Sequence, residues 1–232
     1  MGLLKSVGMG ILVLVLIVVA YFGYSMFATP SLGINASPAA KASGLSKAGL
    51  TTSTAPSTGG PAGSIKFTGS HPVDAYFTSE EFTSVFQDRV YKYDPFHAKD
   101  TQVRFNPDGT MESTGKLDKA NLANFGKAFN MDSNQIALLQ QAQDALPVDP
   151  TYYIKGKATV KNNKVDTSEV LDVKVGGVPV PVDVVNSNKG TVSGMFETAI
   201  ANTPGLDVQS LSNDNGQLHF QGTIPDSAQF AN

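Results

Sequence analysis

Histidine and carboxylate side chains are the groups in this chain that can ligate a metal ion or transfer a proton. The chain has three histidines, His71, His97 and His219, and no cysteine. The histidines are far apart in the sequence, and none has a cysteine or acidic neighbour at the spacing of a metal site. The sequence therefore predicts that no histidine is a metal ligand.

Two pairs of acidic residues resemble functional motifs but do not meet their requirements. Asp207 and Asp214 flank a turn, but Leu211 stands where an EF-hand loop needs its first aspartate. Glu80 and Glu81 are adjacent, so on a helix they point in different directions, and acids in a first turn favour the helix dipole. The G-x-S-x-G, Walker A and dinucleotide-binding glycine patterns do not occur. The sequence thus predicts no catalytic residue, no metal site and no cofactor.

The element that must position everything else is an uncharged stretch over residues 7–27. Its centre, residues 11–19, is an unbroken run of Ile, Leu and Val, which contributes about −3 to −5 kcal/mol to membrane insertion. As a helix, a stretch of this length spans a hydrocarbon core of about 30 Å. The sequence predicts a transmembrane signal anchor over residues 1–28.

A cleaved secretory signal is the alternative for this stretch. The apolar run is longer than is usual for a signal peptide, and Met26 occupies a position where cleavage after Ala28 needs a small residue. The absence of cysteine excludes a lipid anchor on a cleaved cysteine. Lys5 precedes the stretch and a long polar tail follows it. We therefore expect a single-pass protein of the cytoplasmic (cell) membrane, with its N-terminus inside and its C-terminal domain outside.

Residues 29–64 consist mainly of Ser, Thr, Ala, Gly and Pro, with scattered Leu and Ile. This composition buries too little apolar area to order a chain, so it predicts a disordered linker. A flexible linker of this length has a root-mean-square span of about 30–35 Å. Residues 65–232 are long enough for one exported domain with its own core.

The charge of the exported domain excludes one class of partner. After Ser64 the chain has 14 basic and 20 acidic residues, which gives a net charge of −6. Nucleic-acid recognition depends on a basic surface, so no nucleic-acid partner is expected. Contact with lipid is expected to use apolar surface for the same reason.

Alternation and turn residues predict an α+β domain with long antiparallel hairpins packed by helices. Thr78 and Glu81 form a capping box that opens a helix. Asn106-Pro107-Asp108-Gly109 has the residues of a tight turn between two strands. The predicted strands are 65–68, 101–105, 110–117, 151–160, 165–175, 208–211 and 218–224. The predicted helices are 78–91, 118–129, 132–146 and 189–201.

Three short motifs resemble the YpmS family. They are FTSEEF at 77–82, DTQVRF at 100–105 with the turn at Gly109, and VGGVPVP at 175–181 after a strand rich in Val and Leu. Proteins of this family are single-pass and membrane-anchored, and their exported domain is similar in layout to tubular lipid-binding (TULIP-like) domains. The resemblance implies a TULIP-like half-barrel and a lipid-binding role. Residues 118–146 and the linker depart from the family pattern.

The predicted site is an apolar groove formed by helix faces and strands. A bound acyl chain would contribute about 0.8 kcal/mol per buried CH₂ without any charged contact. We therefore expect a non-enzymatic module that binds or shuttles lipid or another apolar ligand. The alternative is an envelope scaffold that holds a protein partner on an exposed apolar patch or open sheet edge. The predicted groove residues are Phe82, Val85, Phe86, Val103, Phe105, Phe125, Phe129, Val173, Val175, Val180, Met195, Phe196 and Ile200.

Overall fold

Antiparallel strands and a few helices make up most of the chain described by the computed structural model. The described residues are 31–55, 65–88, 98–121, 133–145, 148–175, 178–179, 181–187 and 189–231. The helices are α1 (Pro38–Ala48), α2 (Ser79–Asp88), α3 (Ser133–Ala145), α4 (Val182–Ser187) and α5 (Lys189–Ala201). The strands are β1 (Thr51–Ala55), β2 (Ile65–Thr68), β3 (His71–Phe77), β4 (Ala98–Phe105), β5 (Met111–Leu117), β6 (Thr151–Lys161), β7 (Lys164–Val175), β8 (Val178–Pro179), β9 (Asp207–Asp214), β10 (Gln217–Ile224) and β11 (Ser227–Ala231).

The strands form two sheets. The large sheet has eight strands and follows the order β3-β10-β9-β6-β5-β4, with β7 paired to β6 and β8 paired to β7. All of its pairings are antiparallel. The small sheet has the order β1-β11-β2, in which β1 runs parallel to β11. The predicted α+β class with a large antiparallel sheet is therefore confirmed.

The hairpins form where turn residues predict them. Asn162 and Asn163 both have positive φ, at 49° and 63°, as a two-residue turn between antiparallel strands requires. In the β4–β5 turn, the Asp108 carboxylate accepts hydrogen bonds from the Thr110 backbone N–H and hydroxyl, at 2.9 and 2.6 Å. These contacts are local, so the sequence is sufficient to predict them.

Strand β6 is the centre of the large sheet. One of its edges pairs with β7, and the other pairs with β5 near its start and with β9 near its end. A core cluster of Val73, Val160, Val208 and Phe220 surrounds the end of β6, and Ile200 of α5 packs against it. The sheet thus has one face that continues from the start of β6 into this core.

Helix α2 covers the free edge of β4 with polar side chains. Three side chains one turn apart bond the strand backbone: Ser79 Oγ accepts from the Phe105 N–H at 3.0 Å, Thr83 Oγ1 contacts both Val103 N and O, and Gln87 donates to Thr101 O at 2.6 Å. Four helical residues advance about 6 Å and two strand residues about 6.6 Å, so the two repeats match. Thr83 is completely buried as a result.

The outer edge of β7 is covered in a similar way. The Asn186 side-chain amide accepts from the Val170 N–H at 2.9 Å and donates to the Val170 carbonyl at 2.8 Å. The Glu197 carboxylate accepts from the Val165 N–H at 3.1 Å. Helices α4 and α5 therefore supply hydrogen-bonding groups where a further strand would otherwise pair.

The prediction of a disordered linker over residues 29–64 is wrong for residues 31–55. Leu32 is only 5% exposed, its backbone N–H donates to the Gln102 side chain at 2.9 Å, and its carbonyl accepts from the Arg104 guanidinium. Helix α1 begins at a Ser37 cap and packs on α2, where Gly44 permits close approach to Val85. Small residues here allow close packing, a role that composition alone does not distinguish from disorder.

Several other elements differ from the sequence prediction. Strands β3 and β11 and helix α4 were not predicted. In place of the start of a helix at 118–129, the structure has a single 3₁₀ turn, Lys119–Asn121, and the remainder of that stretch lies outside the described residues. The helices predicted at 132–146 and 189–201 are confirmed as α3 and α5.

The predicted membrane anchor lies outside the described residues, which begin at Ser31. Within the part of the chain that the structure describes, no helix combines the length and apolar character needed to cross a membrane. The anchor therefore stays a prediction.

Candidate functional site: the inner face of the large sheet

The strand register gives the large sheet an apolar face, because directly opposed residues project from the same side. One row across four strands is Val103, Ser113, Ile154 and Val173. The next row is Phe105, Met111, Gly156 and Val170, and a third contains Gly115, Tyr152 and Val175. We call the surface formed by these three rows the inner face.

Aromatic side chains of α2 extend the inner face beyond the edge of β4. Phe82 lies edge-on to Phe105, with ring centroids 5.5 Å apart, and it stacks on Phe86, with ring centroids 6.4 Å apart. At the other end of β6, the inner face continues into the core cluster against which Ile200 of α5 packs. Helices α2 and α5 thus pack against different parts of this apolar surface.

The middle of the inner face is open. Ile154 lies on the central strand and is 41% exposed, whereas Val173 in the same row and Phe105 in the next are 8% and 5% exposed. An isoleucine in the middle of a sheet is usually among the most buried residues. Its exposure leaves an apolar side chain accessible to solvent in the middle of the inner face.

Tyr152 lies on the inner face next to Ile154 in the alternation of β6 and brings a hydroxyl group to it. Its hydroxyl lies 3.3 Å from Thr101 Oγ1 and 3.2 Å from Ser113 Oγ. The ring crosses Gly115, where a Cβ atom would lie 2.9 Å from the tyrosine Cε1. Gly115 therefore provides the space in which the Tyr152 ring lies flat against the sheet.

The opposite surface of these strands, which we call the outer face, is charged. One row contains Arg104, Glu112, Lys155 and Asp172, and the next contains Gln102, Thr114, Tyr153 and Lys174. The Tyr153 hydroxyl donates to the Glu112 carboxylate at 3.1 Å, and the Lys174 ammonium lies 5.2 Å from the Tyr153 ring centre. Burial, followed by the nearby Glu112 carboxylate, raises the pKa of Tyr153 to about 12.

A buried carboxylate joins α1 to α2. Glu81 accepts from the Thr78 N–H at 2.9 Å, from the Ser43 hydroxyl at 2.5 Å and from the Lys47 ammonium at 2.8 Å. Burial favours the neutral acid, but the bonds from Lys47, Ser43 and Thr78 outweigh it and hold the pKa of Glu81 below its usual value. The reciprocal bond from the Glu81 N–H to the Thr78 hydroxyl, at 3.2 Å, confirms the predicted capping box.

An apolar cavity of about 120 Å³ lies between α1 and the small sheet. Its walls include Leu45, Leu50, Phe67, Val85 and Phe230. Ligand pockets usually measure about 300–1,000 Å³, so this cavity is too small for an acyl chain and is closer to the size of a benzene ring.

A wider cleft of about 430 Å³ has Gln87, Lys99, Lys116 and Asp149 among its walls. Lys99 lies 3.1 Å from Asp118 and 3.2 Å from Asp149. The hydrogen bond to Asp118 is the main cause that raises the pKa of Lys99. These charges are paired with one another, and the walls of the cleft are polar as much as apolar.

The described histidines connect segments of the fold. His71 Nδ1 lies 2.7 Å from Asp226 and Nε2 lies 2.9 Å from the Ala48 carbonyl at the end of α1. His219 lies 2.7 Å from Asp74 and stacks on Tyr76. His97 lies outside the described residues. Among the residues with described positions, no group of three or more His, Cys, Asp or Glu can hold a metal ion.

The structure brings about half of the predicted groove residues to the inner face. Those residues are Phe82, Phe86, Val103, Phe105, Val173 and Val175. Val85 lies on the side of α2 that faces α1, and Ile200 packs on the core cluster. Phe196 is 59% exposed on α5.

Other predicted groove residues lie outside the part of the chain that is described. These are Phe125, Phe129 and Val180, together with the side chain of Met195 in α5. The inner-face residues Met111 and Ile154 were not predicted as site residues. The spacing of Tyr152 and Ile154 along β6 predicts that both side chains lie on the same face of the sheet. It does not predict whether that face is open to solvent.

Comparisons with known proteins give no information on the function of this chain, so the functional proposal rests on the sequence and the structure. No protein-family model, curated protein or solved structure matches the chain. Membership of the YpmS family stays a prediction.

Proposed function

We propose that the chain is a non-enzymatic module that binds an apolar ligand, such as the acyl chain of a lipid, on its inner face. One observation carries the proposal: Ile154, at the centre of the apolar inner face, is 41% exposed. Val103, Met111 and Val170 surround this position in the register and are half-buried. A linear hydrocarbon laid along these rows would cover side chains that water now reaches.

The expected affinity comes from burial. Each CH₂ removed from water contributes about 0.8 kcal/mol, so eight methylenes on the inner face contribute about 6 kcal/mol before ordering costs. The inner face has the hydroxyl groups of Tyr152, Thr101 and Ser113 at one end and mainly apolar side chains elsewhere. This arrangement suits an amphipathic ligand with a long apolar part. A TULIP-like half-barrel is the finer architecture that accompanies this proposal.

The proposed location follows from the sequence. Residues 1–28 anchor the chain in the cytoplasmic membrane, and the body stands outside it with lipid as an abundant potential ligand. No catalytic group, metal or cofactor is part of the proposal.

The test compares two neighbouring residues that project from opposite faces. The full chain is produced in membranes that contain a photoactivatable acyl lipid. After illumination the chain is digested, and covalent labelling is measured on peptides from residues 98–175, so that label on the proposed anchor is not counted. Ile154→Gln is expected to reduce labelling several-fold because it places a polar amide in the middle of the apolar inner face. Lys155→Gln changes the outer face and is expected to leave labelling unchanged. Equal labelling of the wild type and both variants would reject the inner face as the ligand site.

A second candidate function is an envelope scaffold that holds a protein partner. Phe196 favours it, since 59% of this large apolar residue is exposed on α5. Pairing of a partner strand at β4 or β7 is disfavoured, because α2, Asn186 and Glu197 already bond those edges. Crosslinking from position 196 in membranes would give a protein adduct under the scaffold hypothesis and no protein adduct under the lipid hypothesis.

A further inference from the structure

The first described residues are hydrogen-bonded to side chains on the outer face of β4. Leu32 is 5% exposed and bonds Gln102 and Arg104 through both of its backbone polar groups. Farther along, the Ser37 N–H donates to the Ser84 hydroxyl of α2 at 3.0 Å. The path of the chain is therefore fixed from the outer face of the large sheet to the back of α2.

This attachment leaves very little chain between the body and the proposed membrane span. Only Ala28, Thr29 and Pro30 separate Phe27, at the end of the uncharged stretch, from Ser31. Four residue steps reach at most about 14 Å when fully extended. A free linker over residues 29–64 would allow a root-mean-square span of about 30–35 Å in any direction.

From these two facts we infer that the body is held against the bilayer with the outer face of β4, β5 and β6 toward the lipid headgroups. The inference rests on the proposed anchor at residues 1–28. One of the two outer-face rows that Leu32 bonds contains two basic and two acidic residues, Arg104, Lys155, Glu112 and Asp172. A surface with balanced charge suits the hydrated headgroup layer and does not require anionic lipid.

The orientation has a consequence for the ligand. The inner face is on the opposite side of the same strands, so it opens away from the bilayer. A ligand on that face is held on the outward side of the body, as expected of a module that presents its ligand instead of embedding it.

The experiment uses the full chain in phosphatidylcholine vesicles. Because the chain has no cysteine, one introduced cysteine gives a single fluorescent label. Lys155→Cys places the label on the outer face, and Ala199→Cys places it at an exposed position of α5. Lipids with a quencher in the headgroup are expected to quench the label at position 155 several-fold more than the label at position 199. Equal quenching, or stronger quenching at position 199, would overturn the inferred orientation.

A spacer variant tests the cause of the orientation. Inserting 20 Gly and Ser residues between Ala28 and Thr29 adds a root-mean-square span of about 25 Å. The difference between the two labels is then expected to disappear, and its persistence would refute the role of the short connection. Release of the full chain by an alkaline carbonate wash would show instead that the anchor itself is wrong. Neither result depends on acyl-lipid labelling, which tests the ligand site separately.

Discussion

Neighbouring residues in this molecule have different roles because of the side chains they meet, and Glu80 and Glu81 show this most clearly. Both lie in the first turn of α2. Glu80 is exposed, whereas Glu81 is 6% exposed and is bonded to α1 through Ser43 and Lys47. Of these two glutamates, only Glu81 therefore links α1 to α2.

We predict that Glu81 makes the stability of the chain depend on acid pH. Its pKa is lowered in the folded state, so its contribution is complete above the unfolded value of about 4.5 and is lost as the pH falls through the folded value. Glu81→Gln is expected to lower the free energy of unfolding at pH 7 by about 1–2 kcal/mol, since solvent partly screens Lys47. It is also expected to flatten the decline below pH 5. Urea unfolding across pH measures both effects.

Glu80→Gln is the matched control for this prediction. Its carboxylate is exposed on the same helical turn, so the variant is expected to keep the wild-type stability to within about 0.5 kcal/mol. Equal losses in the two variants would mean that the helix dipole, and not the contact with α1, is responsible.

At the scale of elements, α2 is a helix with three different sides. Ser79, Thr83 and Gln87 contact the edge of β4, Phe82 and Phe86 face the apolar surface, and Glu81 and Val85 face α1. Sequence periodicity predicts the aromatic side correctly. It does not predict the contact that the polar side makes, because no local signal shows that a strand edge about 20 residues away will need those hydroxyl groups.

Thr83→Val tests the role of α2 as the cover of β4. The substitution keeps the shape of the side chain but removes the hydroxyl that bonds Val103 N and O at 3.0 and 3.2 Å. Two partly buried backbone groups of Val103 then lack this partner, so the free energy of unfolding is expected to fall by about 1–3 kcal/mol. Thermal or urea unfolding measures the change. Thr198→Val, at an exposed position of α5, is the control and is expected to change stability by less than about 0.5 kcal/mol.

The errors of the sequence prediction have a common physical origin. The hairpins β4–β5, β6–β7 and β9–β10 were predicted because their turns are specified by adjacent residues such as Asn162 and Asn163. The folded segment 31–55 was missed because its order comes from distant contacts, including the 70 residues that separate Leu32 from Gln102. The openness of the inner face at Ile154 was missed for the same reason, since alternation gives a residue's side of the sheet but not what covers it.

For the whole molecule, the folded N-terminal segment changes where the functional body begins. The prediction of a linker placed the start of the domain at residue 65. The structure instead has β1 in the small sheet, α1 on α2, and Leu32 on β4. A body that begins at residue 31 would be attached near the proposed membrane span, whereas one that begins at residue 65 would move freely above it.

Comparing two fragments distinguishes these descriptions. If residues 31–55 belong to the fold, the fragment 65–232 exposes Val85 and Phe230, which now line the cavity beneath α1, and it leaves β11 without its parallel partner. We expect it to be less stable than the fragment 31–232 by at least about 3 kcal/mol, which is a large share of the stability of a typical domain. Urea unfolding of both fragments measures the difference.

Adding a peptide of residues 31–55 to the shorter fragment should restore part of the lost stability, in proportion to the fraction of the fragment that has bound the peptide. Identical unfolding curves of the two fragments would instead support the prediction of a disordered linker. The inferred orientation on the bilayer would then lose its basis, because a body whose N-terminal segment is not part of the fold is not held at any fixed angle.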